Sequence, residues 1–130
     1  MIASDHSPYD QDSKRLPFAL AAFGIIGLET LLPLTLELYH NGHASLAAAL
    51  ALVTHAPATR FGLPAGRLEK GAQADLVLID PDLPSRIDET SFRSKSKNSP
   101  FDGRPVQGRV IRTVVDGRTI HLAEPRGPEV

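Results

Sequence analysis

The chain has 130 residues, 42% hydrophobic and 22% charged, with a net charge of −1, the balance of a globular domain rather than a disordered segment. It has no cysteine, which excludes disulfides, thiol nucleophiles and zinc–thiolate sites; two Tyr, five Phe, no Trp and no pronounced basic run argue against a nucleic-acid surface. Gly, Glu, Thr or Pro cuts every apolar stretch before it reaches membrane-spanning length, and the N-terminus has no basic region or cleavage pattern, so the expected setting is the cytoplasm.

Residues 1–4 read as the stub of a strand. Residues 5–17 are polar, include Pro8 and Pro17, and read as a loop suited to lining or covering a site. Residues 18–26 are small and apolar and lead to Gly24 and Gly27. The spacing predicts a helix over 28–39. Its leucines at 28, 31, 32, 34, 36 and 38 cover more than one face, so the helix should be largely buried. Pro33 falls in its first turns, where proline is tolerated, and Asn41-Gly42 supplies a left-handed stop. Ser45 is a good N-cap for a second helix from 46 to about 55. A third, short helix is expected from near Pro57 to Gly62.

The texture changes after Leu63. Residues 64–74 hold the turn formers Pro64, Gly66 and Gly71. The apolar run within 74–80, flanked by Asp75 and Asp80, reads as a buried strand. Residues 81–105 are rich in Pro, Ser and charge, with weak periodicity. Residues 110–115 and 118–122 flank Asp116-Gly117, the preferred two-residue hairpin turn because both positions accept positive φ. The tail, 123–130, is expected to fray. The chain therefore divides into a helical zone, 1–63, and a mostly β zone, 64–122.

Asp5 is the strongest candidate for chemistry. A short apolar run ends at Asp5-His6-Ser7-Pro8, which is how a carboxylate is presented at the rim of a barrel where ligands bind. Taken alone, such an Asp is more often a cap. Alternation should turn His6 away from Asp5, towards packing or a supporting role. His40, His43, His55 and His121 share no ligand spacing and read as surface or satisfied polar residues. Glu29, at a helix start, is expected to complement the helix dipole or accept from backbone N–H groups. The basic run 93–97 reads as a solvated loop packed on its neighbour.

An ordered set of motifs carries a resemblance. It comprises Ser4-Asp5-His6-Ser7-Pro8, Lys14, Phe23-Gly24-Ile25-Ile26-Gly27-Leu28-Glu29-Thr30, Thr54, Pro57-Ala58 and Phe61-Gly62-Leu63. It continues with Gly66, Gly71, Ala74-Asp75-Leu76-Val77, the stretch 94–103 around Lys97-Asn98-Ser99-Pro100-Phe101, Gly108 and Thr113-Val114-Val115-Asp116-Gly117. Over about residues 2–122 the chain resembles the C-terminal part of the dihydroorotases, within the amidohydrolase superfamily and of the type found in bacterial multifunctional complexes. Each motif alone is weak; the ordered set is specific.

The resemblance implies an α/β fold: residues 1–63 would be the end of a (β/α)8 barrel, with its last strand, site loop and following helices. Residues 64–122 would be the C-terminal strands of a small β-sandwich. It implies zinc, one or two ions, and reversible cyclisation of N-carbamoyl-L-aspartate to dihydroorotate in pyrimidine biosynthesis, with metal-bound hydroxide attacking a ring amide. Of the family's metal ligands (a His-x-His pair, a lysine that is often carboxylated, two further histidines and an Asp after the eighth strand) only the Asp has a counterpart, Asp5. Asp5 is thereby both the implied metal ligand and the catalytic proton acceptor. Phe23 and Gly24 fall where the family holds substrate with backbone groups. Tyr9 departs from the pattern, since the family usually places there a histidine that binds the substrate carboxylate, and a tyrosine offers only a hydroxyl. Either Lys14 or Arg15 then neutralises that carboxylate, or the branch is weak or inactive. Inactive homologues serve as scaffolds for aspartate transcarbamoylase, the alternative this reading keeps open, with allantoinase- or hydantoinase-type hydrolysis as a third. One ligand cannot hold zinc and one strand cannot close a barrel, so the isolated chain is expected to be inert, and to need the rest of a barrel or further copies of itself as partner.

Overall fold

A computed structural model describes residues 1–124. Four helices precede a three-stranded sheet: α1 Gln11–Arg15, α2 Leu31–His40, α3 Leu46–Ala51 and α4 His55–Phe61, then β1 Leu76–Arg86, β2 Pro105–Val115 and β3 Arg118–Leu122, with a 3-10 turn at Glu89–Ser91. The strands form an antiparallel meander in the order β1-β2-β3. No helix among the described residues is long and apolar enough to cross a membrane.

Local signals account for most boundaries. α2 starts three residues later than the leucine spacing predicts, after Thr30, and carries Pro33 in its first turn, where the missing N–H has no intrahelical partner to lose. It ends at Asn41, with Gly42 at φ 73°. Ser45 caps α3, its hydroxyl accepting from the Ala48 N–H at 3.2 Å. α3 stops at Ala51 rather than near residue 55, because Val53 and Thr54 bond back only three residues, to the Leu50 and Ala51 carbonyls. α4 ends on Gly62 in the left-handed conformation, φ 64°. The loop expected over 5–17 contains α1, which Asp10 caps by accepting from the Ser13 N–H at 2.8 Å and from its hydroxyl.

The strand stub expected at 1–4 does not form; the pairing nearby is a single parallel bridge just after it, His6 with Ile25. The Ser7 N–H adds a bond to the Ile25 carbonyl at 2.8 Å. α2 is half-buried rather than largely buried: only Thr35 and Leu36 are fully inside.

Asp116 and Gly117, at φ 49° and 73°, make the hairpin turn in the expected conformation. The Asp116 N–H donates to the Asp75 carboxylate at 2.8 Å, which ties the start of β1 to the turn. β1 runs on through Pro81 and Pro84, with register shifts between Leu78 and Ile79 and between Asp80 and Pro84. Both prolines thus sit at a bulge on an edge strand, where a missing donor is tolerated. At that bulge the Asp80 carboxylate accepts from the Asp82 and Leu83 N–H groups.

The buried character expected of β1 is not found. Leu76, Val77 and Leu78 are 41%, 57% and 59% exposed. Successive residues point to opposite faces, so neither face of this end of the sheet is covered. The apolar core is correspondingly small: Ile26, Leu36, Ala49, Ala58, Ile87 and Val106. The chain exposes 9416 Å², well above the about 6,700 Å² that size scaling gives a compact monomer of this mass.

Long-range contacts tie the helical part to the sheet and its flanking loops. Leu36 of α2 lies over Gly108 of β2. Arg104 forms a two-pronged ion pair with Glu37, at 3.0 and 2.8 Å. Asn98, between the 3-10 turn and β2, reaches the N-terminal segment. Ala123 extends the pairing past β3 through the Ile111 carbonyl; the rest of the expected frayed tail, from 125 on, lies outside the described residues.

Candidate functional site

Two N-terminal segments run side by side. The first is 4–9, the second 22–27, and the His6–Ile25 bridge with the Ser7-to-Ile25 bond joins them. Asp5 stands just before that bridge at φ 44°, a left-handed conformation that Asp tolerates better than most residues. Its side chain is exposed. The Ser7 hydroxyl donates to the Asp5 carbonyl at 3.1 Å and tightens the turn.

His6 turns inward, as alternation predicts. Its Nδ1 accepts from the Gly27 N–H at 3.1 Å, so the ring proton resides on Nε2. His6 thereby anchors the second segment instead of facing the same space as Asp5.

Gly24 has φ 95°, and a Cβ placed there would stand 2.5 Å from the Ser7 Cβ and 2.9 Å from its Oγ. Only glycine fits so close to the Asp5 turn. The Tyr9 ring borders the same spot, 3.7 Å from that position. Phe23 is 91% exposed and Tyr9 is 39% exposed. Among the described residues no group accepts from the Phe23 or Gly24 N–H, so both remain available to a ligand. The two segments therefore place Tyr9 against Gly24, with Asp5 on the adjoining turn and Phe23 facing solvent beside it.

Lys14 does not face this space as a free cation. Its Nζ, part-buried, donates to the carbonyls of Ala22 at 2.7 Å and Gly24 at 3.0 Å. The structure thus assigns it to the loop's own backbone, which removes it as a neutraliser of a substrate carboxylate. Arg15 is exposed.

The remaining candidates resolve into structural contacts. Glu29 accepts backbone N–H bonds, but from Arg93 at 3.1 Å and Ser94 at 3.2 Å rather than from its own helix. The basic loop meets its neighbour through that Glu29 contact and folds on itself at Lys97, which donates to the Phe92 carbonyl at 2.7 Å. His40 bonds the Pro81 carbonyl at 3.0 Å, and His55 lies 3.5 Å from the Thr59 hydroxyl.

Sequence reasoning missed Asn98, quoting it only within a motif. Its Nδ2 donates to the Ser7 carbonyl at 3.0 Å and the Gly24 carbonyl at 3.4 Å, and its Oδ1 accepts from the Tyr9 N–H at 3.3 Å. No local signal marks it, since every partner is more than 70 residues away.

Zinc does not fit the described residues alone. No three His, Asp or Glu side chains among them come together to hold a metal, and zinc sites take three or four protein ligands. Asp5 is one exposed carboxylate.

Comparison with known proteins follows the same line. A family model described as the amidohydrolase family matches residues 34–121. Dihydroorotase from Wolbachia sp. subsp. Drosophila simulans (strain wRi) is 55% identical over 120 residues, 92% of this chain and 27% of that protein. Dihydroorotase from Ehrlichia canis (strain Jake) is 52% identical over 122 residues, 94% of this chain and 27% of that protein. The crystal structure of dihydropyrimidinase from Brevibacillus agri NCHU1002 superposes with a TM-score of 0.84 at 26% identity, over 91% of this chain and 27% of that one. The chain therefore spans about a quarter of the length of the relatives it matches.

Proposed function

The chain belongs to the amidohydrolase family, and we propose that it is the part of a dihydroorotase-type cyclic-amide hydrolase that supplies the proton-transfer carboxylate and one wall of the substrate site. In this reading 1–63 closes a barrel and 64–122 contributes strands to a β-sandwich. The observation that carries it is the pairing of the exposed Asp5 turn with the Gly24 loop across the His6–Ile25 bridge, in a chain similar to dihydroorotases over most of its length.

The chemistry of the chain's own residues follows. Dihydroorotate is a cyclic amide with a carboxylate. Asp5 accepts a proton from the attacking water and returns it to the leaving ring nitrogen, the role of a general base and then acid. The Phe23 and Gly24 N–H groups and the Tyr9 hydroxyl are the donors that hold substrate oxygens. Zinc, in this reading, takes its remaining ligands from outside the described residues, and the chain alone turns nothing over. The experiment is a chimera in which this chain replaces the matching 120 residues of the Wolbachia dihydroorotase. Zinc-dependent turnover of dihydroorotate, above that of hydantoin or allantoin, supports the reading. A chimera that melts cooperatively and retains zinc, yet acts on none of these substrates, overturns it.

Tyr9 favours a second reading, a non-catalytic scaffold for aspartate transcarbamoylase. A neutral hydroxyl compensates a substrate carboxylate less well than a histidinium, and Lys14 is committed elsewhere. Co-purification of the chimera with aspartate transcarbamoylase, without turnover, selects this reading.

A further inference from the structure

We propose that Asn98 and Lys14 are positioning residues that set the spacing between the Asp5 turn and the Gly24 loop, with Asn98 acting on both and Lys14 on one. The inference rests on the dihydroorotase-type reading of the site.

The two segments share little backbone pairing: one bridge, with the Ser7 bond to Ile25. That fixes their direction, and His6 holds the Gly27 end, but the end where Ser7–Tyr9 faces Gly24 is left free to splay. Asn98 closes the gap. One amide hydrogen goes to the Ser7 carbonyl, two residues past Asp5, and the other to the Gly24 carbonyl. Its oxygen receives the Tyr9 N–H. Its own carbonyl also accepts from the Ile26 N–H at 3.2 Å. A single residue thus holds both sides of the candidate site, from a loop remote in sequence.

The chemistry demands an amide. Two carbonyls need donors and one N–H needs an acceptor, and only Asn or Gln presents both from one planar group. An aspartate of the same size keeps the acceptor for Tyr9 but turns an oxygen towards two carbonyl oxygens. Lys14 reaches Gly24 from the other side, and its ammonium joins the Ala22 and Gly24 carbonyls. Lys14 at the Ala22 carbonyl holds the 22–23 peptide, which carries the Phe23 N–H, and both residues at the Gly24 carbonyl hold the 24–25 peptide, so the 23–24 peptide that carries the Gly24 N–H is fixed on either side. Among the described residues the Lys14 ammonium hydrogen-bonds only the second segment.

The division of labour makes distinct kinetic predictions. In the chimera, Asn98→Asp keeps the Tyr9 bond but repels the Ser7 and Gly24 carbonyls, so the Asp5 turn and the Gly24 loop move apart, kcat falls and KM for dihydroorotate rises; a misplacement near 1 Å costs about 10²-fold in kcat/KM. Lys14→Met loosens only the substrate-holding loop, so KM rises about tenfold, the equivalent of one strong hydrogen bond, with kcat little changed. A merely structural role lowers stability and active fraction without separating kcat from KM in this pattern. Equal kcat and KM in Asn98→Asp and the parent chimera overturns the proposal, as does a kcat loss without a KM change in Lys14→Met.

Amide hydrogen exchange on the chain itself tests the clamp without turnover. The Tyr9 amide should lose protection in Asn98→Ala and keep it in Asn98→Asp, which retains the acceptor. Unchanged Tyr9 exchange in Asn98→Ala overturns the clamp. If the unmutated chimera shows no turnover, the functional reading fails, while the exchange result still decides whether Asn98 joins the two segments.

Discussion

The Leu36 side chain occupies the space that a Cβ on Gly108 would need. Leu36 is wholly buried, and Gly108 has φ 105°, a conformation that L side chains rarely adopt. One glycine thus lets α2 lie on β2 and supports the joint between helices and sheet. Gly108→Ala combines overpacking with backbone strain and should cost about 2–4 kcal/mol. Leu36→Ala leaves a cavity and should cost about 2–5 kcal/mol. The double variant should be less unstable than the sum, because truncating Leu36 relieves the collision and leaves only the φ strain. Urea unfolding of the three variants checks this; strict additivity would mean that the two residues do not meet.

Asp5→Asn in the chimera should lower kcat by ~10²–10⁴-fold, the loss expected for a general base. The melting temperature should hold, since the side chain is exposed and Asn accepts a positive φ as readily as Asp. Activity near that of the parent would remove Asp5 from the chemistry.

Tyr9→Phe removes one hydroxyl and keeps the ring against Gly24. If that hydroxyl holds the substrate carboxylate, KM should rise by the equivalent of about 1 kcal/mol, with kcat little affected. Steady-state kinetics on dihydroorotate decide it. An unchanged KM would assign the carboxylate to other groups, the exposed Arg15 or the Phe23 and Gly24 N–H groups.

The isolated chain should self-associate. Leu76, Val77 and Leu78 on β1 and Ile120 and Leu122 on β3 are each at least 41% exposed, and β1 and β3 are also the sheet edges. Apolar surface left in water costs about 25 cal/mol per Å², and apolar edge strands invite pairing with another chain. Sedimentation velocity should show oligomers that Val77→Lys reduces. A sharp monomer at all concentrations would show that this surface tolerates water.

Acid should loosen α1 at a definite point. The hydrogen bonds from the Ser13 hydroxyl and N–H hold the Asp10 carboxyl below its ordinary value of 3.8. A depressed folded-state pKa contributes stability that is present above the unfolded value and is lost as pH falls through the folded one. The Ser13 amide resonance should therefore stay put from neutral pH down to about 4 and shift only below that. An inflection above pH 4.5, beyond the unfolded carboxyl range, would place the cap elsewhere.

What the sequence by itself determined is local. Ser45 caps α3, Gly62 ends α4 and Asp116-Gly117 turns the hairpin, each through φ preference or a bond spanning a few residues. The candidates Asp5, Phe23 and Gly24 stand out as members of a spaced motif set, and Tyr9 as a departure from it. What only the tertiary structure decided is where distant polar groups end. Glu29 bonds residues 93 and 94, Asn98 bonds residues 7, 9 and 24, and Lys14 turns to backbone carbonyls. Such partners carry no periodic or short-range signature, because they meet only after the chain has folded back on itself. The exposure of β1 belongs with them: an apolar run records a preference for burial, whereas what covers it depends on the neighbours that pack beside it.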